Sequence, residues 1–203
     1  MKHKLRQYAD KVRTLPKEIS MKRELIFSLA AVLAGVLAGL ISKACDSTSF
    51  IGDLTTEIGV WVFLASVLAA NCTNPISAGV NTSLFFLGML SGYYAYTHFV
   101  LGFFSSSYIM MWLIASLLAA PCAALLWFAK GRSKASVFIA ALPVAYLLFH
   151  GYPVWYTHNP VLLMDIIFAA LLIIILPTGA KRRGAVLAVS FPMAFICHFI
   201  INS

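Results

Sequence analysis

The sequence predicts an all-α membrane protein, a polytopic bundle of about seven helices, and three observations lead there. Hydrophobic residues make up 61% of the 203 and charged residues only 11%, where a soluble domain carries about a quarter charged and under half apolar residues. The apolar residues fall in runs close to the ~20 needed to cross a ~30 Å hydrocarbon core. The basic residues are segregated: eight of the 15 Lys and Arg precede residue 24, three lie in KGRSK (130–134), three in KRR (181–183), and the last is Lys43. A net charge of +8 laid out this way is the loop asymmetry of a membrane protein, not a nucleic-acid face. Lipid is the expected partner and nucleic acid is not.

Residues 1–23 read as a basic cytoplasmic leader. Leu5, Tyr8, Val12, Leu15 and Ile19 recur at alternating three- and four-residue steps. Such a stripe suits a helix lying on an anionic leaflet, interrupted at Pro16; an ordinary solvated basic tail fits the same residues. The apolar segment that follows is read as a retained helix and not a signal peptide, since further spans follow it.

Residues 24–203 read as one transmembrane domain with spans at 24–44, 58–76, 78–100, 108–129, 135–152, 160–177 and 184–202. The second is the weakest. Its pure apolar stretch, Ile58 to Ala70, covers about 20 Å as a helix. It has to extend through Asn71–Pro75 to cross, or form a re-entrant hairpin with the third. Counting it as a crossing puts both basic loops on the leader's side, with the N-terminus inside and the C-terminus outside. Counting it out throws both loops to the exterior, so the seven-span reading is kept.

The first span contains SLAAVLAGVLAGL. Ala30, Ala34 and Ala38 recur every fourth residue, as do Ala31, Gly35 and Gly39. Small residues at that spacing let another helix approach closely, either within the bundle or on a partner membrane subunit. Pro121, Pro143 and Pro192 fall inside spans, where each removes a backbone hydrogen bond.

Chemistry-bearing residues collect in the outer leaflet. Asp165 lies in the run NPVLLMDIIFAALLIIILP, about 7–8 Å in from its outer end. An ionised carboxylate within a span costs about 2.5–3.5 kcal/mol on insertion scales, and such residues usually face a cavity, a partner or a substrate. His98, His150, His158 and His198 share that side with Asp46, Asp53, Glu57 and Lys43. So do Tyr93, Tyr94, Tyr96, Phe99, Phe103, Phe104 and Tyr108, with Trp155 in GYPVWY. They fit an interfacial aromatic belt or the mouth of an outward-facing pocket in which Asp165, His198, His150, His98, Tyr93, Tyr94, Tyr96 and Trp155 hold a small molecule. Asp165 is expected to face the interior and to hydrogen-bond a histidine or tyrosine from span three, five or seven.

Asn71, Asn74 and Asn81 are expected to cap the hairpin between spans two and three, or to line an inner cavity. The cysteines Cys45, Cys72, Cys122 and Cys197 have no CxxC spacing, so no zinc or redox site is expected. HExxH, GxSxG and Walker patterns are missing, so no catalytic residue, metal or cofactor is assigned.

The stretch ISAGVNTSLFFLGMLSGYYAYTHF with MMWLIASLLAAPCAALLW resembles small multipass bacterial membrane proteins of a family of unknown function, through Ala78, Phe86, Gly88, Gly92, Tyr93, Tyr94, Trp112 and Pro121. The likeness covers about residues 58–131 and implies a bacterial plasma membrane with no assigned activity. A looser similarity is to the substrate-binding membrane subunits of energy-coupling-factor vitamin transporters. That likeness implies ligand capture near the outer face and docking through small residues of the first helix, here Ala30, Ala34, Ala38, Gly35 and Gly39; those subunits usually carry six spans. The expectation is a solute-binding or transport-type membrane protein. A structural or accessory subunit without a ligand, and an intramembrane enzyme using Asp165 with a histidine, are the alternatives.

Overall fold

The structure is a computed structural model that describes residue 13 and residues 20–46, 49–102 and 106–201. The stripe of the leader, His3, Phe103 and Phe104 and the side chain of Tyr108 lie outside the described residues. Described elements are α1 (Met21–Ala44), α2 (Ser49–Thr56), α3 (Ile58–Asn71), α4 (Pro75–Leu101), α5 (Ser106–Leu126) with a 3₁₀ turn at Trp127–Lys130, α6 (Lys134–Gly151), α7 (Val154–Thr157), α8 (Pro160–Ile175) and α9 (Ala180–Ile201). Among the described residues there is no strand.

Five helices are long and apolar enough to cross a membrane, and a sixth crossing arises if the bent pair α2–α3 counts as one. The chain is thus an all-α, multipass, membrane-type bundle. Its surface agrees with lipid and not with water. On α1 the side chains of Leu25, Leu29, Leu33, Leu37 and Ile41 repeat every fourth residue and are between 55% and 63% exposed. An unbroken apolar ridge of that length has no place on a soluble monomer. The interior is built instead from small residues: Ala69, Ala70, Ala78, Ala140, Ala141 and Ala169 are fully buried. Hydrocarbon tails offer no hydrophobic drive for helix association, so close backbone packing takes that role.

The second predicted span is corrected. Its helix begins at Ile58 and ends at Asn71, so it does not continue through to Pro75. Asn74 caps the next helix instead, its Oδ1 accepting from Ser77 N at 2.8 Å with Pro75 in the first turn. The extension lies at the other end, where α2 precedes α3 across a 66° bend. Trp61 Nε1 donates to Thr55 O at 3.0 Å and pins that bend. α3 still runs from one end of the bundle to the other: Glu57 sits beside His150, and Asn71 accepts from Lys130 Nζ at 2.7 Å. At about 20 Å it is short, and it packs on α4, α5, α6 and α8 as a central post.

Contacts fix the helix directions. Ser28 bonds Asn81 at 2.7 Å near the start of both helices, and Lys43 bonds Tyr93 at 3.3 Å near their ends, so α1 and α4 run parallel. Ser83 donates to Ser116 O at 2.9 Å and one turn earlier Gly79 lies against Ala120 O, an antiparallel match of α4 with α5. His150 meets Asp165, antiparallel for α6 and α8, and Arg182 reaches the carbonyls of Gly131 and Arg132 at the start of α6, which aligns α9 with α6. The basic loops therefore gather at one end, where Arg13 also donates to Trp127 O at 2.7 Å and Ala70 O at 3.1 Å.

The parallel pair α1–α4 absorbs part of the small-residue stripe. A Cβ on Gly35 would stand 2.0 Å from Phe85 O, and one on Gly39 2.0 Å from Met89 O. The match is mutual: a Cβ on Gly88 would meet Val32 O at 2.5 Å and one on Gly92 would meet Val36 O at 2.2 Å. Gly35 and Gly39 are thus committed inside the chain and are not a docking surface for another subunit. Ala30 and Ala34 are exposed and Ala38 half-buried. Asn81, 1% exposed, joins α1 to α4 by accepting from Ser28 Oγ at 2.7 Å, and it donates to Ser77 Oγ one turn earlier on α4 at 2.9 Å.

Candidate functional site

Asp165 is the sixth residue of α8. Asn159 opens that helix by accepting from Val161 N at 2.9 Å, with Pro160 in its first turn. Two glycines then let the carboxylate sit between helices. Gly151, at the end of α6, has Leu162 O 2.9 Å and the Asp165 Cβ 3.1 Å from where its own Cβ would be, so α8 lies directly on the α6 backbone. Gly59, in the first turn of α3, has Asp165 Oδ1 1.8 Å from its would-be Cβ. The carboxylate therefore occupies side-chain space that glycine leaves open, against a helix N-terminus whose dipole favours negative charge.

The Asp165 side chain is 1% exposed, and its Oδ2 lies 2.7 Å from His150 Nδ1. Because an ionised carboxylate only accepts, Nδ1 carries the hydrogen when Asp165 is charged. The opposite ring nitrogen, Nε2, lies 3.4 Å from Glu57 Oε2. Glu57 is the N-cap residue of α3 but makes no capping bond with its side chain, which leaves its carboxylate turned to the imidazole. Tyr146, one helical turn before His150, stacks on the ring at 5.8 Å with a 17° tilt. Below it Phe63 stacks on Phe168 at 4.6 Å and locks α3 to α8. Side-chain exposure rises along the chain of groups, from 1% at Asp165 through 27% at His150 to 37% at Glu57.

The other expected ligand residues fall into separate groups. Tyr93 and Tyr94 pack edge to face at 5.4 Å, and Lys43 lies 5.0 Å over the Tyr93 ring. Lys43 is also 2.5 Å from Asp46, so it neutralises that aspartate and is not the partner of Asp165. His198 packs against Tyr152 at 5.0 Å and Phe149 at 6.2 Å, and His98 against Phe99 at 5.0 Å. Tyr96 is half-buried on α4 and Trp155 is 72% exposed on α7. Of the proposed ligand set, the fold brings His150 to Asp165; Glu57 and Gly59 join them. The signal for these two was short: an acid and a glycine spaced by one residue at the head of an apolar run.

Among the described residues no group of His, Cys, Asp and Glu is arranged to hold a metal ion. A shallow surface depression lies at the basic end, lined by Ala129, Gly131, Ser136, Pro177 and Arg182 among others, at the opposite end of the bundle from the acid–imidazole chain. With Asp165 this closed, no solute touches its carboxylate unless α2–α3 or α8 moves. The chain matches no family model, no curated protein and no solved structure.

Proposed function

We propose that this chain is a multipass protein of the bacterial plasma membrane, of transport type, that takes up a small solute or ion from the outer side at the Glu57–His150–Asp165 chain. The observation that carries the reading is a fully buried carboxylate within an apolar helix, joined through one imidazole to a carboxylate at the bundle's end. Intramembrane acids and histidines connected in this way mark ion and substrate paths. The positive-inside rule supports the orientation: Lys130, Arg132, Lys134, Lys181, Arg182 and Arg183 share the end opposite Glu57, which assigns that end to the cytoplasm. Under that assignment the chain crosses seven times, with the bent α2–α3 pair and short α8 each counted as a crossing.

The test is a melting-temperature screen of purified protein in detergent against small amines, amino acids, sugars and carboxylates. A compound that raises the wild-type Tm and leaves Asp165→Asn unmoved supports uptake at this site. If none shifts the wild type, the second reading takes its place: an accessory membrane subunit in which the same three residues clamp α3, α6 and α8 together. The Gly59 backbone seated on Asp165 and the exposed Ala30 and Ala34 favour that alternative.

A further inference from the structure

We propose that His150 passes protons between the outer surface and Asp165, so that Asp165 is a proton-loading site reached through a single imidazole. The reasoning begins with access. At 1% exposure the Asp165 carboxylate is closed to a solute or hydrated ion until α2–α3 or α8 moves, but a proton needs only a continuous run of hydrogen-bonding atoms. His150 supplies both ends of such a run, since Nδ1 faces Asp165 at 2.7 Å and Nε2 faces Glu57 at 3.4 Å.

An imidazole between two carboxylates cannot satisfy both in its neutral form. It carries one N–H and one lone pair, so one neighbouring acid must be protonated or the ring must be imidazolium. This defines the step. With Asp165 ionised, neutral His150 holds its hydrogen on Nδ1 and donates to Oδ2. A proton taken by Glu57 from outer water moves to Nε2 and makes the ring imidazolium. The Nδ1 proton then leaves to Asp165 Oδ2, and the ring ends neutral with its hydrogen on Nε2, facing the Glu57 carboxylate. One proton enters and one carboxyl is formed, while on the ring an Nε2–H bond forms as the Nδ1–H bond breaks; a return to the Nδ1–H tautomer resets the ring for the next proton. The 3.4 Å link needs only a small approach of Glu57, which the 37% exposure of that side chain permits.

The other titratable groups near the site, among the described residues, are these. On α6 itself Tyr146 stacks face to face on the ring, with its phenol in electrostatic reach of Asp165 and Glu57. On α9 His198 is engaged with Tyr152 and Phe149, and on α1 Lys43 is held by Asp46. Asp53 on α2 is exposed and adds negative charge at the outer end. The residues that tie the site together, Gly59 and Gly151, are the ones that close it to anything larger.

Proton exchange at Asp165 is read without any solute, so its failure and a failed solute screen are separate results. The full chain in detergent is mixed rapidly with D₂O, and the carboxylic-acid C=O band lost in Asp165→Asn is followed in the infrared. The expected result is that His150→Ala slows H/D exchange of that band by on the order of a hundredfold, and that imidazole added to the buffer restores it. Glu57→Gln, at the surface, slows exchange less and keeps the fold. If His150→Ala does not fold, His150→Gln, which retains an amide donor toward Asp165 but no second exchangeable ring nitrogen, should show the same slowing. Exchange as fast as wild type in either His150 variant overturns the relay. So does slowing that imidazole fails to rescue in His150→Ala, and so does the absence of any Asp165 carboxylic-acid band at every pH where the protein stays folded.

Discussion

Gly59 and Asp165 share one volume: the place of a Cβ on Gly59 lies 1.8 Å from Asp165 Oδ1. Neither residue's environment can be described without the other, although they sit on α3 and α8 and far apart in sequence. The carboxylate fits because glycine is there, and the first turn of α3 is compensated because the carboxylate is there.

Gly59→Ala forces that pair apart. The methyl group meets the head of a buried, hydrogen-bonded side chain, and the backbone behind it is pinned by Trp61 on Thr55. Overpacking of this kind costs about 1–3 kcal/mol, and the displaced carboxylate also loses its bond to His150. The expected outcome is a lower Tm in detergent for Gly59→Ala and a smaller loss when it is combined with Asp165→Ala, which vacates the space. Equal losses in the two backgrounds would show that the contact is not made.

The glycine crossing of α1 and α4 leads to a contrast between neighbours on one helix. Gly35→Leu or Gly88→Leu places a side chain where a backbone carbonyl already stands, at 2.0 Å and 2.5 Å from the first added carbon. Both should abolish a folded monomer in size-exclusion profiles. Ala34→Leu adds its side chain to the exposed face, and its effect on monomer stability should stay within about 0.5 kcal/mol. A folded Gly35→Leu protein would separate α1 from α4 and refute the crossing.

How much of this could be read from the residues depends on where each signal lies. The membrane class and the helices follow from local composition, and six of the seven expected spans match helices to within a few residues. The second differs because its missing length is supplied before Ile58, by a polar segment (SFIGDLTT) that carries no apolar-run signal. The inward position of Asp165 was legible, since a short aspartate cannot reach the headgroups from that depth. Its choice of His150 over His198, His98 or Lys43 was not, because it depends on the register of α6 against α8. Gly151 sets that register, and one glycine at a helix end looks like any other. The stripe in α1 was visible, but its mate, Gly88 and Gly92 in GMLSG, is informative only once α1 and α4 are known to be parallel neighbours.

Helix direction makes the topology testable with cysteines introduced at described positions in a background lacking the native Cys45, Cys72, Cys122 and Cys197. Arg132→Cys lies at the basic end, and Tyr156→Cys lies beyond His150 at the other. In intact cells a membrane-impermeant maleimide should label Tyr156→Cys and leave Arg132→Cys unlabelled until the membrane is opened. The reverse pattern would invert the orientation. Labelling of both from outside would break the rule that basic loops stay within.

The links of the Glu57–His150–Asp165 chain should differ in strength, and the difference separates a clamp from a rim contact. Asp165 to His150 is a 2.7 Å contact with one partner at 1% exposure, and hydrogen bonds to charged groups contribute about 1.5–3 kcal/mol. Glu57 to His150 spans 3.4 Å with the acid at 37% exposure, where pairs are typically worth under about 1 kcal/mol. Double-mutant cycles should therefore give a coupling energy of about 1.5 kcal/mol or more for Asp165→Asn with His150→Gln. Glu57→Gln with His150→Gln should give a much smaller coupling. Both cycles are measured as unfolding free energies in mixed micelles; Asn and Gln match in size the acids they replace, and the ring lost in His150→Gln, with its stacking on Tyr146, is common to both cycles and cancels in the coupling. Equal couplings would mean that Glu57 closes on the ring as tightly as Asp165 does, and that the outer acid is part of the buried clamp instead of its solvent-facing end.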